Sequence, residues 1–342
     1  MKRRMLFLTL VFFSLFFTLG EVYAQRGSGT QNTIEVRLAS PLPRNSEWGR
    51  GLERVAADWA RVTNNQVRVR IIHDGLEGGE SKMITSLNSD NIQAALFTSA
   101  GLAEMCPSVV TLSIPFLIRN EEELNKVLEK ALPFFDNKFN SSNYVVICWA
   151  KGGWIYVFSK EPVFSPDDLR RTRLGGSSEL KEVNSTFRNL GFNVVETDIV
   201  DIGTKLASNM VNALYLIPEA VVPMGLHRNL SNMLDLSLAP VLGAIVMNRV
   251  TWNKLGADRQ KAIFDVTRRF AAEFETSMAK TSASAITAMR RDGLKTNKPT
   301  QAQETLWHTE INKGISMLIG TTIDRDLYSQ INDILSKMRN GQ

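Results

Sequence analysis

Residues 34–71 read IEVRLASPLPRNSEWGRGLERVAADWARVTNNQVRVRI, and this stretch decides the fold class. Apolar and polar residues alternate at both of its ends, which is typical of half-buried strands. The apolar positions of these two strands are Ile34, Val36 and Leu38, and then Val67, Val69 and Ile71. Between the strands, apolar side chains recur at spacings of three and four, as on one helix face: Trp48, Leu52, Val55, Trp59 and Val62. A strand, a helix and a strand in this order predict a βαβ unit with parallel strands and a right-handed crossover.

The boundaries of this unit have recognisable signals. Pro41 and Pro43 end the first strand, and Asn45 or Ser46 caps the helix. Two asparagines at 64–65 end the helix. Strand and helix patterns continue to alternate down the chain. Further strands are predicted at 92–97, 144–149, 154–159, 194–195 and 242–247, and further helices at 80–87, 121–132, 165–169, 178–190 and 203–208. This alternation predicts the α/β class.

One predicted helix is unusually long. An apolar stripe runs from Ala257 to about Asp292, and Gly293 is placed as its C-terminal cap. About 35 residues at 1.5 Å each give roughly 50 Å, which exceeds one small domain. We therefore expect this helix to span two lobes, although the stripe by itself is also what an ordinary core helix shows.

The first 32 residues have the three parts of an export signal. Lys2, Arg3 and Arg4 precede an apolar run over residues 6–19, and Val22 and Ala24 supply small side chains at the −3 and −1 positions before Gln25. The run is short for a membrane span, although an uncleaved anchor is the alternative. We predict a signal peptide at 1–24, cleavage near Ala24-Gln25, a flexible leader at 25–32 and a periplasmic location. No Cys follows the run, so a lipid anchor is not predicted.

The charge pattern does not indicate a nucleic-acid partner. The formal charge of the 342-residue chain is +5, and removal of three basic residues and Glu21 with the signal peptide leaves +3. No basic block carries interleaved aromatic residues. The short basic cluster at 170–173 is interpreted as a solvated face. The two thiols, Cys106 and Cys148, lie in apolar stretches, and the sequence leaves open whether they are bonded.

Catalytic and cofactor motifs are absent from the sequence. The glycine-rich turn at 75–80 contains Glu77 and Glu80, which would repel a phosphate, so a tight strand-to-helix turn is the favoured interpretation. His73, His227 and His308 have no metal-ligand spacing, and there is no GxSxG elbow. We predict no cofactor and no metal, and an enzyme is the weaker interpretation. The favoured class is a protein that binds a small molecule without changing it.

Five segments, taken in order, resemble a known family. They are 39–43 with Trp48-Gly49, then 76–80 (LEGGE), 113–117 (SIPFL), 164–169 (FSPDDL) and 252–255 (WNKL). Each segment is weak alone, but their order and spacing are similar to those of the DctP-type extracytoplasmic receptors of TRAP transporters. The resemblance covers residues from about 33 to 293.

The resemblance implies two α/β lobes joined by crossing strands, with a hinge and a long helix that spans both. Residues 33–151 with 240–279 would form lobe I, and residues 152–239 with 280–342 would form lobe II. The ligand would lie between the lobes, which close on it. The implied partners are a small-molecule ligand and the membrane permease subunits of a TRAP transporter. A periplasmic tetratricopeptide-repeat protein is a further partner in some such systems.

The chain departs from the family at the positions that hold an acidic ligand. The family's carboxylate-binding Arg falls on Gly175, a second family Arg falls on Trp154, and the family's ligand-contacting Asn falls on Leu216. Arg173 lies two positions before Gly175 and would replace the missing Arg only through a strand bulge; Arg171 is the other nearby cation. The positions predicted to contact the ligand are Trp48, Thr98, Trp154, Tyr156, Gly175, Ile199, Tyr215 and Leu216.

These departures predict an apolar ligand. Without a cation, burial of a carboxylate costs several kcal/mol, whereas apolar walls stabilise a bound ligand by about 25 cal/mol per Å². The hypothesis is that the ligand is uncharged and substantially hydrophobic. The alternative that Trp154 and Leu216 are ordinary core residues remains open. A binding module that acts as a sensor or scaffold without uptake is the second functional hypothesis, and a secreted enzyme is the third.

Overall fold

The computed structural model describes residues 33–341. The predicted signal peptide at 1–24 and the leader at 25–32 therefore lie outside the described residues. Within residues 33–341, no helix is both long and apolar enough to cross a lipid bilayer.

The strands form two sheets. In chain order, the strands are β1 (Ile34–Ala39), β2 (Val67–Ile72), β3 (Ala94–Thr98), β4 (Tyr144–Trp154), β5 (Tyr156–Ser159), β6 (Leu174–Ser177), β7 (Val194–Thr197), β8 (Ala213–Leu216), β9 (Asn232–Leu234), β10 (Pro240–Asn248) and β11 (Lys295–Asn297). The first sheet has the order β2-β1-β3-β10-β4, and the second has the order β11-β9-β5-β8-β6-β7. Each sheet mixes parallel and antiparallel pairs.

Helices cover both sheets. The α-helices are α1 (Glu47–Val62), α2 (Glu80–Asn88), α3 (Ser99–Met105), α4 (Glu121–Asn140), α5 (Pro166–Arg170), α6 (Lys181–Asn189), α7 (Ile202–Ala207), α8 (Pro218–Val221), α9 (Arg249–Leu255), α10 (Ala257–Arg291), α11 (Gln301–Leu318) and α12 (Arg325–Arg339). Short 3-10 helices occupy Pro107–Ser113 and Leu226–Asn229.

The predicted βαβ unit is present. β1 pairs with β2 in parallel, with Ile34 opposite Val67, and α1 connects them. Ser46 caps α1 by accepting a hydrogen bond from the Gly49 backbone N–H. Trp48, Leu52, Val55 and Trp59 are buried as the spacing predicted, whereas Val62 is only partly buried. This unit anchors the first sheet, so the predicted α/β class is confirmed.

The two sheets are joined at crossing segments that lie side by side. β4 leaves the first sheet and continues through Ile155 into β5 of the second sheet. The return segment before β10 runs beside it, because the Ile155 N–H donates to the Ala239 carbonyl at 2.9 Å and the Leu238 N–H donates to the Ile155 carbonyl at 2.8 Å. These backbone hydrogen bonds lie where the resemblance implies a hinge.

The long helix α10 spans both lobes, as predicted. Ile263, Phe270 and Phe274 are buried with α1 and the first sheet. Near its other end, Met289 is buried in the core of the second sheet. The Trp59 indole N–H donates to the Thr267 hydroxyl at 2.8 Å, which fixes α1 against α10. Thirty-five helical residues correspond to about 50 Å, so one rigid element crosses the molecule.

The packing of the C-terminal helix α12 concerns the predicted lobe boundaries, and those boundaries remain a prediction. The sequence placed residues 280–342 in lobe II, yet α12 packs against α4, and its Leu327 and Ile331 join the core of the first sheet. The Arg339 guanidinium donates to both carboxylate oxygens of Glu123 on α4, each at 2.8 Å. We therefore propose that α12 belongs to lobe I, because its apolar face is covered by that lobe.

Two local predictions differ from the structure. The helix predicted to end at residue 132 continues through Pro133 to Asn140, and Pro133 is exposed, so the backbone carbonyl that loses its partner can face water. The basic cluster is only partly a solvated face: Arg170 donates to Glu310 on α11 at 2.5 Å and lies 4.9 Å over the Phe192 ring.

Both Cys106 and Cys148 are buried and free, so the structure contains no bond between them.

Candidate ligand-binding site

A cavity of about 240 Å³ lies between the two lobes. The first lobe contributes the end of β3 and the start of α3, and the second contributes β6 and the end of β8. The crossing segments form its floor through Ile155, Val157, Leu238 and Ala239, and α11 adds Trp307 and Ile311. A ligand in this cavity would contact elements of both lobes and both crossing segments.

Six of the eight residues predicted to contact a ligand line this cavity. They are Trp48, Thr98, Gly175, Ile199, Tyr215 and Leu216. Their positions along the chain differ by up to 168 residues, and the fold brings them together because β3, β6 and β8 end at the cleft.

Trp154 and Tyr156 do not line the cavity. Successive side chains on a strand point to opposite faces, and here Ile155 and Val157 face the cavity. The Trp154 indole N–H donates instead to the Glu121 carboxylate at 3.0 Å, and Tyr156 packs against the core of the second sheet. We therefore do not propose Trp154 and Tyr156 as ligand contacts, and we propose Ile155 and Val157 in their place.

Two glycines make room for the wide indole of Trp48. A Cβ atom at Gly243 would lie 2.9 Å from Cη2 of the Trp48 ring and 3.2 Å from the Phe97 carbonyl oxygen. A Cβ atom at Gly152 would lie 3.3 Å from Cζ2 of the same ring. On another side, the Trp48 ring centroid lies 4.4 Å from that of Phe274 on α10. The indole is therefore held from several sides as a rigid apolar wall.

The lobes touch at the mouth of the cleft. Gly75 adopts a φ of +66°, and a Cβ atom there would lie 2.2 Å from Val200 of the second lobe. A Cβ atom at Gly79 would lie 3.1 Å from the Asp198 carboxylate. Elsewhere, the Phe116 ring stacks on His308 of α11 with centroids 4.4 Å apart. The glycine-rich turn thus acts as a close interlobe contact, which agrees with its interpretation as a tight turn.

The cavity walls contain no cationic side chain among the described lining residues. Arg171 is 77% exposed and pairs with Asp168 at 3.4 Å, and the Arg173 guanidinium donates to the Asn209 carbonyl at 3.0 Å. Neither residue lines the cavity. Gly175 sits against Val211, whose Cγ1 would lie 3.1 Å from an added Cβ atom. No strand bulge brings Arg173 to the position of the missing family Arg.

Glu80 is the acidic residue that lines the cavity. Its carboxylate accepts hydrogen bonds from the Thr98 N–H at 2.6 Å and from the Thr98 hydroxyl at 2.7 Å. Burial, with the charge of Glu179 adding to it, raises the pKa of Glu80 from 4.5 to about 7, although the hydrogen bonds from Thr98 and Gly101 oppose the rise. A Cβ atom at Gly101 would lie 2.5 Å from Oε1 of Glu80, so glycine is needed for this close approach.

Two more polar groups lie near Glu80, on the second lobe. Glu179 accepts a hydrogen bond from the Ser177 hydroxyl, while its other carboxylate oxygen, Oε1, is buried without a partner. The buried Tyr215 hydroxyl also lacks a hydrogen-bond partner of good geometry. Burial raises the pKa of Tyr215, the Ser177 backbone opposes this shift, and the Glu179 charge adds to it. The cavity is therefore apolar along its walls and acidic at this end.

A buried acid also lies behind the cavity, beside the crossing segments. Glu219 on α8 is 4% exposed, and both of its carboxylate oxygens lack hydrogen-bond partners among residues 33–341. A Cβ atom at Gly153 would lie 2.8 Å from Oε1 of Glu219. Burial raises the pKa of Glu219 from 4.5 to about 7, and its own backbone N–H and the nearby Ser282 hydroxyl offset this rise only in part.

The sequence missed much of the cavity wall. Strand alternation would have identified Ile155 and Val157 once the register of β4 and β5 was known. Glu80 was noticed only as an obstacle to phosphate. Nothing in the sequence pattern pointed to Trp307, which reaches the cavity from α11 and donates its indole N–H to the Phe164 carbonyl at 3.0 Å.

Two α/β lobes, joined by crossing strands and closed over a ligand-sized cavity, define a bilobal solute-binding protein. Residues 38–317 match the family described as bacterial extracellular solute-binding protein, family 7, or DctP, and the chain belongs to that family. The resemblance to receptors of TRAP transporters is thereby confirmed.

Relatives and solved structures agree with this family assignment. A solute-binding protein of Verminephrobacter eiseniae is 21% identical over 274 residues, which cover 78% of this chain and 79% of the relative. The sugar acid binding protein DctPAm from Advenella mimigardefordensis, solved in complex with galactonate, is similar with a TM-score of 0.83 at 14% identity, over 90% of this chain and 99% of that one. A TRAP periplasmic solute-binding protein from Sulfurospirillum deleyianum with bound succinate has a TM-score of 0.81 at 16% identity, over 88% and 99% of the two chains.

Proposed function

We propose that this protein is the periplasmic receptor of a TRAP-type transporter and captures a small, largely apolar ligand that carries no carboxylate. The observation that supports this ligand class is the cavity wall, which lacks Lys, Arg and His among its described lining residues. The residues proposed to contact the ligand are the six predicted positions that line the cavity, together with Ile155, Val157 and Trp307.

An organic acid of the kind bound by the solved neighbours fits this cavity poorly. Those structures hold galactonate and succinate. A carboxylate moved from water into an apolar cavity loses its hydration, at a cost of several kcal/mol unless a cation or several donors replace it. Here the charged group on the wall is Glu80, which would repel an anion whenever it is ionised.

The apolar surface of the cavity supplies the affinity instead. Trp48, Leu216 and Trp307 present aromatic and aliphatic surface from three different elements. Each Å² of apolar surface removed from water contributes about 25 cal/mol. Because both lobes and the crossing segments line the cavity, a bound ligand would bury apolar surface against several elements at once.

The test is to identify the ligand and to compare acids with apolar compounds. Purified protein is denatured, and the released small molecules are extracted and analysed by mass spectrometry. After refolding, binding of succinate, galactonate and medium-chain apolar compounds is measured by calorimetry. We expect apolar compounds to bind and both acids to fail. Tight binding of succinate or galactonate would refute the proposed ligand class.

We further propose that the ligand is delivered unchanged to the permease subunits of a TRAP transporter. The family supports this role, because its members are extracellular solute-binding proteins. A periplasmic tetratricopeptide-repeat protein remains a second proposed partner. Deletion of the permease genes should abolish uptake of the identified ligand; unchanged uptake would contradict this role.

A further inference from the structure

The acidic end of the cavity is built by both lobes. Glu80 comes from α2 of the first lobe, and Glu179 and Tyr215 come from the second lobe, close to β6 and at β8. Glu80 and Tyr215 line the same cavity, and the charge of Glu179 acts on both of them. Glu80 and Tyr215 therefore line one cavity from different lobes, and Glu179 adjoins it through the hydrogen bond that it accepts from the lining residue Ser177.

These acids have hydrogen bonds but no counter-charge among the described residues. Neither Glu80 nor Glu179 forms an ion pair with a Lys, Arg or His in the described part of the chain. One oxygen of Glu179 and the hydroxyl of Tyr215 are buried and unpaired. Buried polar atoms are nearly always paired in folded proteins, and buried charges nearly always have a counter-charge. The missing partner would have to be a donor, and a positively charged one satisfies both carboxylates.

We propose that the ligand is an organic ammonium compound with an apolar body, and that its ammonium head is held at the Glu80 carboxylate beside the Tyr215 hydroxyl, with the Glu179 carboxylate close behind. This inference rests on the proposed function and specifies it, adding a positive head to the largely apolar ligand. An ammonium group offers up to three N–H donors, which suit the Glu80 carboxylate and the Tyr215 oxygen on the cavity wall, and its charge offsets that of Glu179, whose Oε1 lacks a partner among the described residues. The apolar body would then lie against Trp48 and Leu216.

Other head groups match this end of the cavity less well. A hydroxyl donates a single hydrogen bond and leaves the two carboxyl groups facing each other without a counter-charge. A carboxylate would place a third acidic group beside them. Selectivity between heads on the same apolar chain is therefore a direct measure of what these three residues recognise.

The experiment compares three probes that share an eight-carbon chain: octylammonium, 1-octanol and octanoate. Refolded protein, freed of any retained ligand, is titrated with each probe by calorimetry at pH 8. A charge-assisted hydrogen bond is worth more than a neutral one, so octylammonium should bind at least about tenfold more tightly than octanol, with octanoate the weakest.

Three variants locate the source of that preference. Glu179→Gln and Glu80→Gln should each reduce the preference for octylammonium over octanol by about tenfold. Tyr215→Phe should reduce it less, because only one neutral acceptor is lost. The readout is the ratio of the octylammonium and octanol affinities within each variant, so a general loss of apolar contact affects both probes alike and cancels. Glu122→Gln, which replaces an exposed acid at the start of α4, is the matched control and should leave the preference unchanged.

The outcomes separate this inference from the proposed function. If octanol binds as tightly as octylammonium, the ammonium head is refuted while an apolar ligand stands. If octanoate binds as tightly, the ammonium head and the carboxylate-free ligand class are both refuted. If none of the three probes binds, the apolar ligand and the ammonium head both fail. Because the ranking is measured first on the unmodified protein, it is decisive even if Glu80→Gln fails to fold.

Discussion

Substitution of Glu219 by Gln should make the protein more stable at alkaline pH. Glu219 lies beside the crossing segments and is 4% exposed, and neither of its carboxylate oxygens has a hydrogen-bond partner of good geometry in the described part of the chain. Its pKa rises from 4.5 to about 7 on folding, chiefly because burial penalises the charged form. The folded state therefore binds this proton more tightly than the unfolded state. The free energy of unfolding accordingly falls as pH rises from 4.5 to about 7, and stays constant above that range.

The size of the effect follows from the pKa change. A tenfold change in proton affinity corresponds to about 1.4 kcal/mol, so the rise from 4.5 to about 7 corresponds to about 3 kcal/mol. Between pH 5 and pH 8.5, roughly 2 to 3 kcal/mol of this would be observed, because the unfolded carboxyl is already mostly ionised at pH 5 and part of the loss has occurred there. Gln has nearly the same shape and no charge, so it removes this contribution.

Urea unfolding at pH 5 and pH 8.5 measures the effect. In the unmodified protein, Glu219 and Glu80 both lower the free energy of unfolding as pH rises, since both pKa values are raised to about 7. Glu219→Gln should reduce the loss between the two pH values by roughly 2 to 3 kcal/mol, and the exposed control Glu122→Gln should not. An unchanged pH dependence in Glu219→Gln would show that this carboxyl is solvated or paired, and would refute the reasoning.

Three further predictions address the cavity and the lobe contacts. Gly243→Ala should displace the Trp48 ring, weaken ligand binding and lower the free energy of unfolding by about 1–3 kcal/mol. The control Gly203→Ala should be tolerated, because its added Cβ meets nothing closer than 3.8 Å. Equal ligand affinities of the two variants would contradict this prediction. Arg339→Ala should destabilise the protein by about 3 kcal/mol, because it removes the counter-charge of Glu123, which is only 5% exposed. A change below about 1 kcal/mol in urea unfolding would contradict the view that this ion pair holds α12 against α4. Arg171→Ala and Arg173→Ala should leave ligand affinity unchanged in calorimetry, since neither side chain lines the cavity. A loss of affinity in either variant would indicate that this Arg replaces the family's carboxylate-binding Arg.

Local patterns were sufficient where an element buries one continuous face. The β1–α1–β2 unit has its register and its buried stripe written in adjacent residues, and α10 is long enough for its period to be unmistakable. Short strands carry much less information. β6 and β8 have four residues each, with two glycines in β6, and they become strands only because they pair with each other and with β7 and β5.

In the candidate site, too, some residues could be predicted from the sequence and others depended on how the strands pair. Alignment of motifs with a family located Trp48, Gly175, Tyr215 and Leu216 near the ligand, but it could not decide which face of β4 and β5 looks into the cavity. That choice depends on the register of strand pairing, in which a shift of one residue exchanges the two faces. The neighbouring residues Ile155 and Val157 therefore face the cavity, whereas Trp154 and Tyr156 face away from it.

The sequence by itself determined that this is an α/β chain of the DctP family that lacks the usual cation for an acidic ligand, because those features depend on residue types and their spacing. Only the tertiary structure decided that Arg171 and Arg173 stay outside the cavity and that Trp307 enters it. It also decided that Glu179, nearly 100 residues from Glu80 along the chain, lies close enough for its charge to raise the pKa of Glu80. Burial and electrostatic coupling arise from groups brought together through space, so no pattern of neighbouring residues can specify them.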